Sequence, residues 1–409
     1  MRRLQAMSVE CSDEPRGARS FHEHLLVKLL VISATPHYSR DGQIVGHGPT
    51  TCEISQLASR FERIHHIGCF HEGTPTAMML PYSSERVRFV PVPFAGGDSL
   101  FEKASVLLVA PRYVGAILRE LRDLDPERDV VHVRCPGPIS LVAIILLSTL
   151  RAPRKRWIKY AGNWQPGRFD PIGYRLQRWL LKWNFSRAKV TVNGDWPRQP
   201  RHITSFVNPC LTREELDEGR ASSAAKPPRS PLRLIFVGVL HERKGIGRAL
   251  EIVRRSLNHG LEVHFDIIGD GPHRAKFETQ AALDLGGKVA FHGWVPRTAL
   301  APFLMQAHLM LFPSESSEGW PKVLSEGMAY GVVPIASDIS SIPQYLREAG
   351  VGATFDPHDL DSFVAAIIAY ARHPSRWQIE SNQAMSAAER FSYEAYLNSV
   401  SRLLELDDT

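Results

Sequence analysis

Two glutamates around a predicted helix start are the first candidates for chemistry in this chain. Glu318 and Glu326 are separated by the seven residues GWPKVLS. Pro321 suits the first turn of a helix because it has no N–H to leave unpaired, and Gly331 is a typical helix terminator. The pattern predicts a helix from about Pro321 to Tyr330. Glu318 then lies in the loop before the helix, and Glu326 lies inside it.

The start of this predicted helix is suited to binding an anion. The backbone N–H groups from Trp320 to Leu324, apart from Pro321, have no partner within the helix and carry the positive end of its dipole. Gly319 would let a ligand come close to the backbone. Carboxylates accept hydrogen bonds from hydroxyls, so a ligand with a central diphosphate and hydroxyl-rich ends fits, as a nucleotide sugar does. The alternative is that both glutamates only favour the helix start and pair with nearby bases.

The elements that must position these residues follow one pattern twice. Apolar runs of strand length alternate with helical segments, which indicates parallel sheets covered on both faces. We therefore predict an α/β protein with two Rossmann-like, doubly wound parallel-sheet domains and a ligand cleft between them. The predicted boundaries are a polar, disordered tail at 1–24, a first domain at 25–217, a linker at 218–231, a second domain at 232–375 and, at 376–409, a C-terminal helix that crosses back to the first domain.

Composition excludes several classes of protein. Of the 409 residues, 44% are apolar and 22% are charged, as in a globular protein and not a disordered or fibrous one. The five cysteines are scattered without a CxxC pair, which favours reduced thiols over disulfides or a zinc site. Residues 1–24 lack the apolar core of a signal peptide, and the longest apolar run, 139–150, is too short to cross a bilayer. We expect a cytoplasmic protein.

Basic residues are concentrated in residues 151–189, which hold eleven Lys or Arg and a single acid, Asp170. Within this segment, apolar residues recur at helical spacing and basic residues occupy the other faces. The apolar residues are Ile172, Leu176, Trp179, Leu180 and Trp183, and the basic residues are Arg175, Arg178 and Lys182. One interpretation is peripheral contact with an anionic membrane through Ile172–Trp183. The other is an ordinary amphipathic helix packed on the sheet, with its charges in water. Nucleic acid is not an expected partner, because no nucleic-acid-binding module accompanies the charge.

The segment PSESSEGWPKVLSEGMAYGVVPIAS resembles the donor-binding signature of retaining family 4 glycosyltransferases, which have the two-domain GT-B fold. The positions that match in type and order are Pro313, Ser314, Glu318, Gly319, Glu326, Gly327, Met328, Ala329, Gly331 and Ser337. FVGVLHERKGI (236–246), IIGDGP (267–272) and VAFHGWVP (289–296) resemble further signatures of that family. ERFSYEAYLNSVSRLLEL resembles its closing helix, which crosses back to the first domain. The resemblance covers about residues 230 to 405.

This resemblance implies that the second domain binds a nucleotide-sugar donor. Lys244 and Glu318 are the implied catalytic residues: Lys244 would hold the diphosphate, and Glu318 would accept hydrogen bonds from the transferred sugar. Gly238 would allow close backbone approach, and Glu326 would bind the ribose diol. The other implied donor contacts are Gly319, Trp320, Pro321, Lys322, Val323 and Leu324 around the phosphate and sugar, and Trp294 and Val295 beside the base. Arg243 could replace the family's arginine, because Val239 stands at that position. No metal or other cofactor is expected, since no DxD pair lies at a suitable place.

The first domain would bind the acceptor, which we expect to be a sugar or a lipid-linked sugar. The acceptor-side candidates are Gly46 and Gly48 in a glycine loop, Asn163 and Trp164 in YAGNWQPGRFDP, and Arg134, which aligns with a histidine of the family. The glycine loop could equally be a simple strand-to-helix turn. His132 lies earlier in the same strand and is expected to be structural.

The expected function is transfer of a hexosyl-type sugar to a hydroxyl acceptor in surface polysaccharide or glycolipid assembly. The resemblance implies retention of configuration. The alternatives are a non-catalytic nucleotide-sugar sensor, which Val239 and Arg134 favour, and a GT-B sugar-nucleotide epimerase.

Overall fold

The structure is a computed structural model that describes residues 27–97, 100–165, 167, 170–223, 226, 231–316 and 318–406. The predicted tail at 1–24 lies outside these residues. The first domain is built on a sheet whose parallel strands run in the order β5-β3-β1-β6-β7-β8-β9, and β2 and β4 extend it antiparallel from the end of β1. These strands are β1 (Lys28–Arg40), β2 (Gln43–His47), β3 (Arg63–Phe70), β4 (Met79–Pro81), β5 (Val87–Pro93), β6 (Val130–Cys135), β7 (Lys155–Tyr160), β8 (Lys189–Val192) and β9 (Ile203–Ser205).

Helices cover both faces of this first sheet, as near-continuous apolar strands require. They are α1 (Gly48–Leu57), α2 (Leu100–Arg122), α3 (Pro138–Thr149) and α4 (Ile172–Trp183). One buried cluster lies beneath α2, α3 and α4, and the other lies beneath α1 and the last helix of the chain.

The second domain has a parallel sheet in the order β12-β11-β10-β13-β14-β15. Its strands are β10 (Leu232–Val237), β11 (Val263–Ile268), β12 (Val289–Gly293), β13 (Leu309–Phe312), β14 (Val333–Ser337) and β15 (Ala353–Phe355). The helices after β9 are α5 (Arg213–Ser223), α6 (Ile246–Asn258), α7 (Arg274–Asp284), α8 (Ala301–Leu304), α9 (Lys322–Ala329), α10 (Ile342–Ala349), α11 (Leu360–Arg372), α12 (Pro374–Ala388) and α13 (Tyr393–Leu404). The prediction of two Rossmann-like parallel-sheet domains is confirmed.

Two of the predicted boundaries are wrong. Residues 218–223, assigned to the linker, form the end of α5, which packs against α9 and α12 of the second domain. Acids in the first turn of α5 and Arg220 in its last turn favour a helix there, and Gly219 lies directly against the carbonyl of Ala329. Residues 376–388 belong to α12, whose Trp377 is buried in the core of the second domain. Within the described part of 376–409, α13 is the helix that packs on the core of the first domain.

The chain crosses between the domains at two adjacent places. The N–H of Cys210 donates to the carbonyl of Phe391 at 2.9 Å, and the N–H of Tyr393 donates to the carbonyl of Leu211 at 2.9 Å. After the second crossing, α13 buries Tyr396 and Val400 in the core of the first domain. The two crossings therefore form one narrow, hydrogen-bonded hinge.

Among the described residues, no helix is both long and apolar enough to pass through a bilayer.

Candidate active site between the domains

The helix predicted between the two glutamates is α9. It begins at Lys322 after Pro321 and ends at Ala329, and Gly331 follows with a φ of +70°. Pro321 at its N-cap makes no side-chain hydrogen bond, and the N–H of Leu324 donates to the Pro321 carbonyl at 3.1 Å, so the N–H groups of Lys322 and Val323 are the ones that remain available to a ligand. Glu318 lies in the loop before the helix and Glu326 lies inside it, as the sequence predicts.

Lys244 and Glu318 meet directly in front of α9. The ammonium of Lys244 forms a salt bridge with the Glu318 carboxylate, and both side chains are partly exposed. Lys244 closes a short 3₁₀ turn, Glu242–Lys244, and Gly245 follows with a φ of +86°. A Cβ atom on Gly245 would lie 2.0 Å from the carbonyl oxygen of Pro313, so only glycine fits there. Burial lowers the pKa of Lys244 from its ordinary value, while the neighbouring carboxylate favours the charged ammonium.

The backbone around Arg243 ties this turn to the loop that leads to Glu318. The carbonyl of Arg243 accepts from the N–H of Glu315 at 2.9 Å, while the Arg243 side chain is exposed. Arg248 in α6, which the sequence did not single out, donates through Nε to the Pro313 carbonyl at 2.8 Å and contacts the Glu315 carboxylate. Arg248 therefore fixes the loop before Glu318. The phosphate contact predicted for Arg243 stays a prediction.

Glu326 is tied to the hinge through Arg297. Its Oε1 accepts from Arg297 Nε at 3.0 Å, and the same guanidinium contacts the carbonyl of Cys210 and donates to the carboxylate of Glu215 at 2.7 Å. No local motif marks Arg297, because its partners come from segments that lie far from it along the chain. The ribose contact predicted for Glu326 would have to form beside this arginine.

The other donor candidates divide into core and surface residues. The indole of Trp320 is buried and stacks on Phe391 with ring centroids 5.0 Å apart, so only its backbone could meet a ligand. Trp294 is exposed, while Val295 packs partly on the core. The remaining candidates lie at the same edge of the sheet: Gly238 directly after β10, Gly319 before α9, and Lys322, Val323 and Leu324 in its first turn.

On the first domain, the two glycines of the predicted acceptor loop are required by packing. A Cβ on Gly46 would lie 2.5 Å from the His37 ring, and one on Gly48 would lie 2.8 Å from the Met78 carbonyl. The loop faces the donor helix, since Lys322 Nζ donates to the carbonyl of Pro49 at 3.3 Å. Acceptor binding by this loop stays a prediction.

Arg134 is engaged by a buried carboxylate. Its guanidinium donates to both oxygens of Glu53, at 2.7 and 3.1 Å, and that carboxylate also accepts from Lys159 Nζ and from the Tyr396 hydroxyl, each at 2.8 Å. Tyr396 belongs to α13, so this cluster also fastens the last helix to the first domain. The anion contact predicted for Arg134 thus competes with an ion pair inside the protein.

The other acceptor-side candidates also have partners within the chain. Trp164 is buried against Tyr160, with ring centroids 5.4 Å apart, so it supports the loop instead of offering a free surface. Asn163 Oδ1 accepts from the N–H of Gln165 at 3.0 Å. His132 is fully buried and stacked on Trp157, where burial lowers its pKa well below the ordinary value. This matches the structural role expected for His132.

A buried histidine chain lies beneath the glycine loop, and the sequence did not reveal it. The Tyr82 hydroxyl contacts His37 Nε2 at 2.7 Å and His66 Nδ1 at 2.6 Å, and His66 Nε2 contacts Ser33 Oγ at 2.7 Å. Burial lowers the pKa of His37 to about 4 and the pKa of His66 well below its ordinary value, so both histidines are neutral at physiological pH. Because its members come from three separate segments, no local motif marks them.

Comparison with known proteins points in the same direction as this geometry. Residues 220–391 match the family model described as Glycosyl transferases group 1. The amylovoran biosynthesis glycosyltransferase AmsK of Erwinia amylovora is 34% identical over 144 residues, which are 34% of this chain and 35% of that protein. The D-rhamnosyltransferase WbpZ of Pseudomonas aeruginosa is 24% identical over 294 residues, 70% of this chain and 75% of that protein. The matches to AmsK and to two other curated glycosyltransferases span only about a third to a half of the length of those relatives.

The fold is shared over nearly the whole chain. Sucrose-phosphate synthase from Thermosynechococcus elongatus superimposes with a TM-score of 0.67 at 17% identity, covering 93% of this chain and 98% of that one. At this identity the likeness establishes the fold alone. The second domain thus carries the group 1 glycosyltransferase match over residues 220–391, and the chain as a whole has the two-domain GT-B fold.

Proposed function

We propose that this protein transfers a hexosyl-type sugar from a nucleoside-diphosphate sugar to a hydroxyl acceptor. The observation that carries the proposal is the meeting of Lys244 and Glu318 at the uncapped start of α9. A cation and free N–H groups suit a diphosphate, and a carboxylate suits the sugar hydroxyls. The lysine and the carboxylate now neutralise each other, and a bound donor would supply a partner for both.

The proposed chemistry needs only charges that the chain itself provides. The bond between the anomeric carbon and the diphosphate oxygen breaks, the acceptor hydroxyl oxygen bonds to that carbon, and the hydroxyl proton leaves with the nucleoside diphosphate. Negative charge grows on the departing diphosphate, where Lys244 and the N–H groups of α9 stabilise it. We therefore propose a reaction independent of metal ions. Retention of configuration follows from the resemblance to family 4 enzymes.

The names of the similar proteins suggest where the product belongs. One relative is named for amylovoran biosynthesis and another as a D-rhamnosyltransferase. We propose a role in assembling a surface polysaccharide or glycolipid, with a sugar or lipid-linked sugar as the acceptor. A nucleotide-sugar sensor is the second candidate, because the exposed Val239 stands where the family has an arginine.

A nucleotide screen tests the function. Thermal unfolding of the native chain is measured with a panel of nucleoside diphosphates and their sugars, in parallel with Glu326→Ala. We expect one nucleotide family to raise the midpoint, since ligand at a hundredfold excess over its Kd adds about 2.7 kcal/mol, and Glu326→Ala to weaken that shift. Incubating the responsive donor alone and with lipid-linked acceptors separates the candidates. Transfer only with an acceptor supports the proposal, conversion of the donor alone indicates an epimerase, and binding without turnover indicates a sensor. The absence of any shift would contradict the proposal.

The helix α4 gives a physical basis for acceptor capture at a membrane. Its apolar stripe faces water: Ile172, Trp179 and Trp183 are 83%, 50% and 67% exposed, whereas Gln177, Arg178 and Leu181 are buried. Of the apolar residues in this stripe, Leu180 packs against the core of the first domain, so the interpretation that the helix packs on the sheet accounts for only part of the stripe. Arg178 does not belong to the exposed basic set either, because its guanidinium is bound to Asp170 at 2.5 Å and to Tyr160 at 2.9 Å.

We propose that α4 lies on an anionic membrane at its cytoplasmic face. Tryptophans beside exposed cations, here Arg175 and Lys182, are typical of helices at the bilayer interface. The adjacent helix α3 adds the exposed Ile145 to the same layer of helices. The stripe supplies apolar area, and the two cations supply attraction to lipid phosphates.

Vesicle sedimentation tests this membrane contact. We expect the native chain to bind phosphatidylglycerol vesicles more tightly than phosphatidylcholine vesicles. The double change Arg175→Glu and Lys182→Glu should weaken binding by about tenfold or more, since each surface cation contributes about 1 kcal/mol. Trp179→Ser with Trp183→Ser should also weaken it. Leu283→Ser, at an equally exposed position on α7, is the control and should change nothing. Equal binding of the vesicles by the native chain and by both double variants would refute the contact of α4 with the membrane.

A further inference from the structure

The loop that carries Glu318 is held between the two domains. The backbone of Glu318 forms an antiparallel bridge with Gly162 of the first domain. On the other side, the carbonyl of Gly319 accepts from Ser340 Oγ at 2.8 Å and from Ser341 Oγ at 2.7 Å, both in the second domain. The position of this carboxylate therefore depends on both domains at once.

Asn193 fills the space between this loop and the first domain. It directly follows β8 and is 2% exposed, and its Nδ2 donates to the carbonyl of Ala161 at 3.2 Å. A Cβ atom on Gly319 would lie 2.2 Å from Asn193 Nδ2 and 2.6 Å from that same carbonyl. The contact leaves no room for any side chain at position 319. Asn193 thus sets how closely the loop approaches the first domain.

The groups proposed to hold the nucleotide diphosphate have a different origin. Lys244, its turn and Gly245 are packed on Pro313 within the second domain, and the backbone of α9 and Glu326 belong to the second domain too. One domain would therefore bind the nucleotide end of the donor. The sugar end depends on a loop that the other domain fixes.

We propose that Asn193 is a positioning residue for donor-sugar recognition: it fixes Glu318 against the first domain, so that the sugar is recognised only when the domains are in contact. This inference rests on the proposed glycosyl transfer. Nucleoside diphosphate then binds without help from Asn193. Asn193 is required for the affinity that the sugar adds to that of the diphosphate and for transfer of the sugar.

The free oxygen of Asn193 suits a contact that opens and closes. Its Oδ1 is buried and has no hydrogen-bond partner among the described residues. Water would supply that partner when the domains separate, so the closed contact is held by packing and by the bridge to Gly162. A donor that bridges the domains adds contacts to the closed form alone.

Calorimetry with paired variants tests the inference. Asn193→Ala is compared with Asn184→Ala. The control also removes a hydrogen bond between a carboxamide and the backbone of the first domain, because Asn184 Oδ1 accepts from the N–H of Ala188 at 2.8 Å. The readouts are the affinities for the nucleoside diphosphate and nucleotide sugar found in the screen, and kcat for transfer. We expect Asn193→Ala to bind the diphosphate as the native chain does, but to lose about tenfold or more in kcat and in its preference for the sugar-bearing donor. Asn184→Ala should retain both.

Gly319→Ala provides a second approach to the same contact from the other domain. It should likewise lower kcat and the preference for the sugar-bearing donor over the diphosphate, even if Asn193→Ala fails to fold. Equal losses for diphosphate and nucleotide sugar, or an unchanged preference in both variants, would overturn the role of Asn193 while leaving the transferase proposal intact. A native chain that binds no nucleotide would overturn both proposals.

Discussion

Replacing Lys244 with alanine is expected to lower kcat for sugar transfer by about 10²–10³-fold, the usual effect of removing one group that stabilises developing negative charge. Lys244 is the cation in contact with Glu318 at the start of α9. Without it, the N–H groups of the helix alone oppose the charge on the departing diphosphate. The Glu318 carboxylate would also face that diphosphate without a neutralising partner, so donor binding should weaken as well.

A second lysine, Lys276 in α7, contacts the same turn and controls for general loss of charge. Lys276 contacts the carboxylate of Glu242, two residues before Lys244, and is exposed. Lys276→Ala should keep kcat within about twofold, because a screened surface pair contributes little. Initial rates at saturating donor give the comparison. Retention of more than a tenth of the native kcat by Lys244→Ala would show that the lysine does not stabilise the leaving group.

The largest expected effect on stability comes from Glu53. Glu53→Gln should destabilise the protein by about 3–5 kcal/mol, because it leaves Arg134 and Lys159 buried without their counter-ion. It also weakens the attachment of α13, since Tyr396 donates to the same carboxylate. Urea unfolding measures the loss. The control is Glu251→Gln, which affects a pair with Arg254 and Arg255 nearer the surface and should cost less than about 1 kcal/mol.

Acid titration gives this prediction a signature. Burial alone would raise the pKa of Glu53, but Arg134 and Lys159 hold it well below the ordinary value of about 4.5. A carboxyl group whose pKa is lower in the folded state than in the unfolded state stabilises the fold fully at a pH above the unfolded-state pKa. This stabilisation is lost as the pH falls from the unfolded-state pKa through the folded-state pKa. The native chain should therefore lose stability below about pH 4.5 more steeply than Glu53→Gln. Parallel curves, or a loss at pH 7 no larger than that of the control, would contradict the role assigned to Glu53.

The fold was predictable because its signals are local. An apolar strand such as β10, followed by a glycine-bearing turn and a helix, indicates a parallel sheet from a short window of sequence. The end of α5 was misread because its small residues suit a linker equally well. Its helical state depends on packing against α9 and α12, which no local window contains. The sequence likewise showed that α4 is amphipathic but not which face meets the sheet, because the buried partners of that face, Asp170 for Arg178 and Gly137 for Gln177, are not apparent from helical periodicity.

Part of the candidate site was predictable for the same reason, because its residues lie in short motifs. Lys244, Glu318 and the start of α9 each belong to a short motif, and the structure brings them together. Residues that support them were missed because their partners are distant in sequence: 343 residues separate Glu53 from Tyr396, and 87 separate Arg297 from Cys210. Asn193 is a further case, since its neighbour Gly319 comes from the other domain.

The two hydrogen-bonded crossings restrict how the halves of the molecule can move. Because Cys210 and Phe391 lie side by side, one domain can rotate against the other about a single fulcrum at the hinge. The displacement of an atom in such a rotation grows with its distance from this fulcrum. Trp320 stacks on Phe391 and Arg297 contacts Cys210, so the groups proposed for the nucleotide lie near the fulcrum. A small rotation would then leave the nucleotide end of the donor almost in place while it separates the parts of the two domains that lie farther from the crossings and admits the acceptor. Such a lever would let the protein hold its donor and exchange acceptors without releasing the nucleotide.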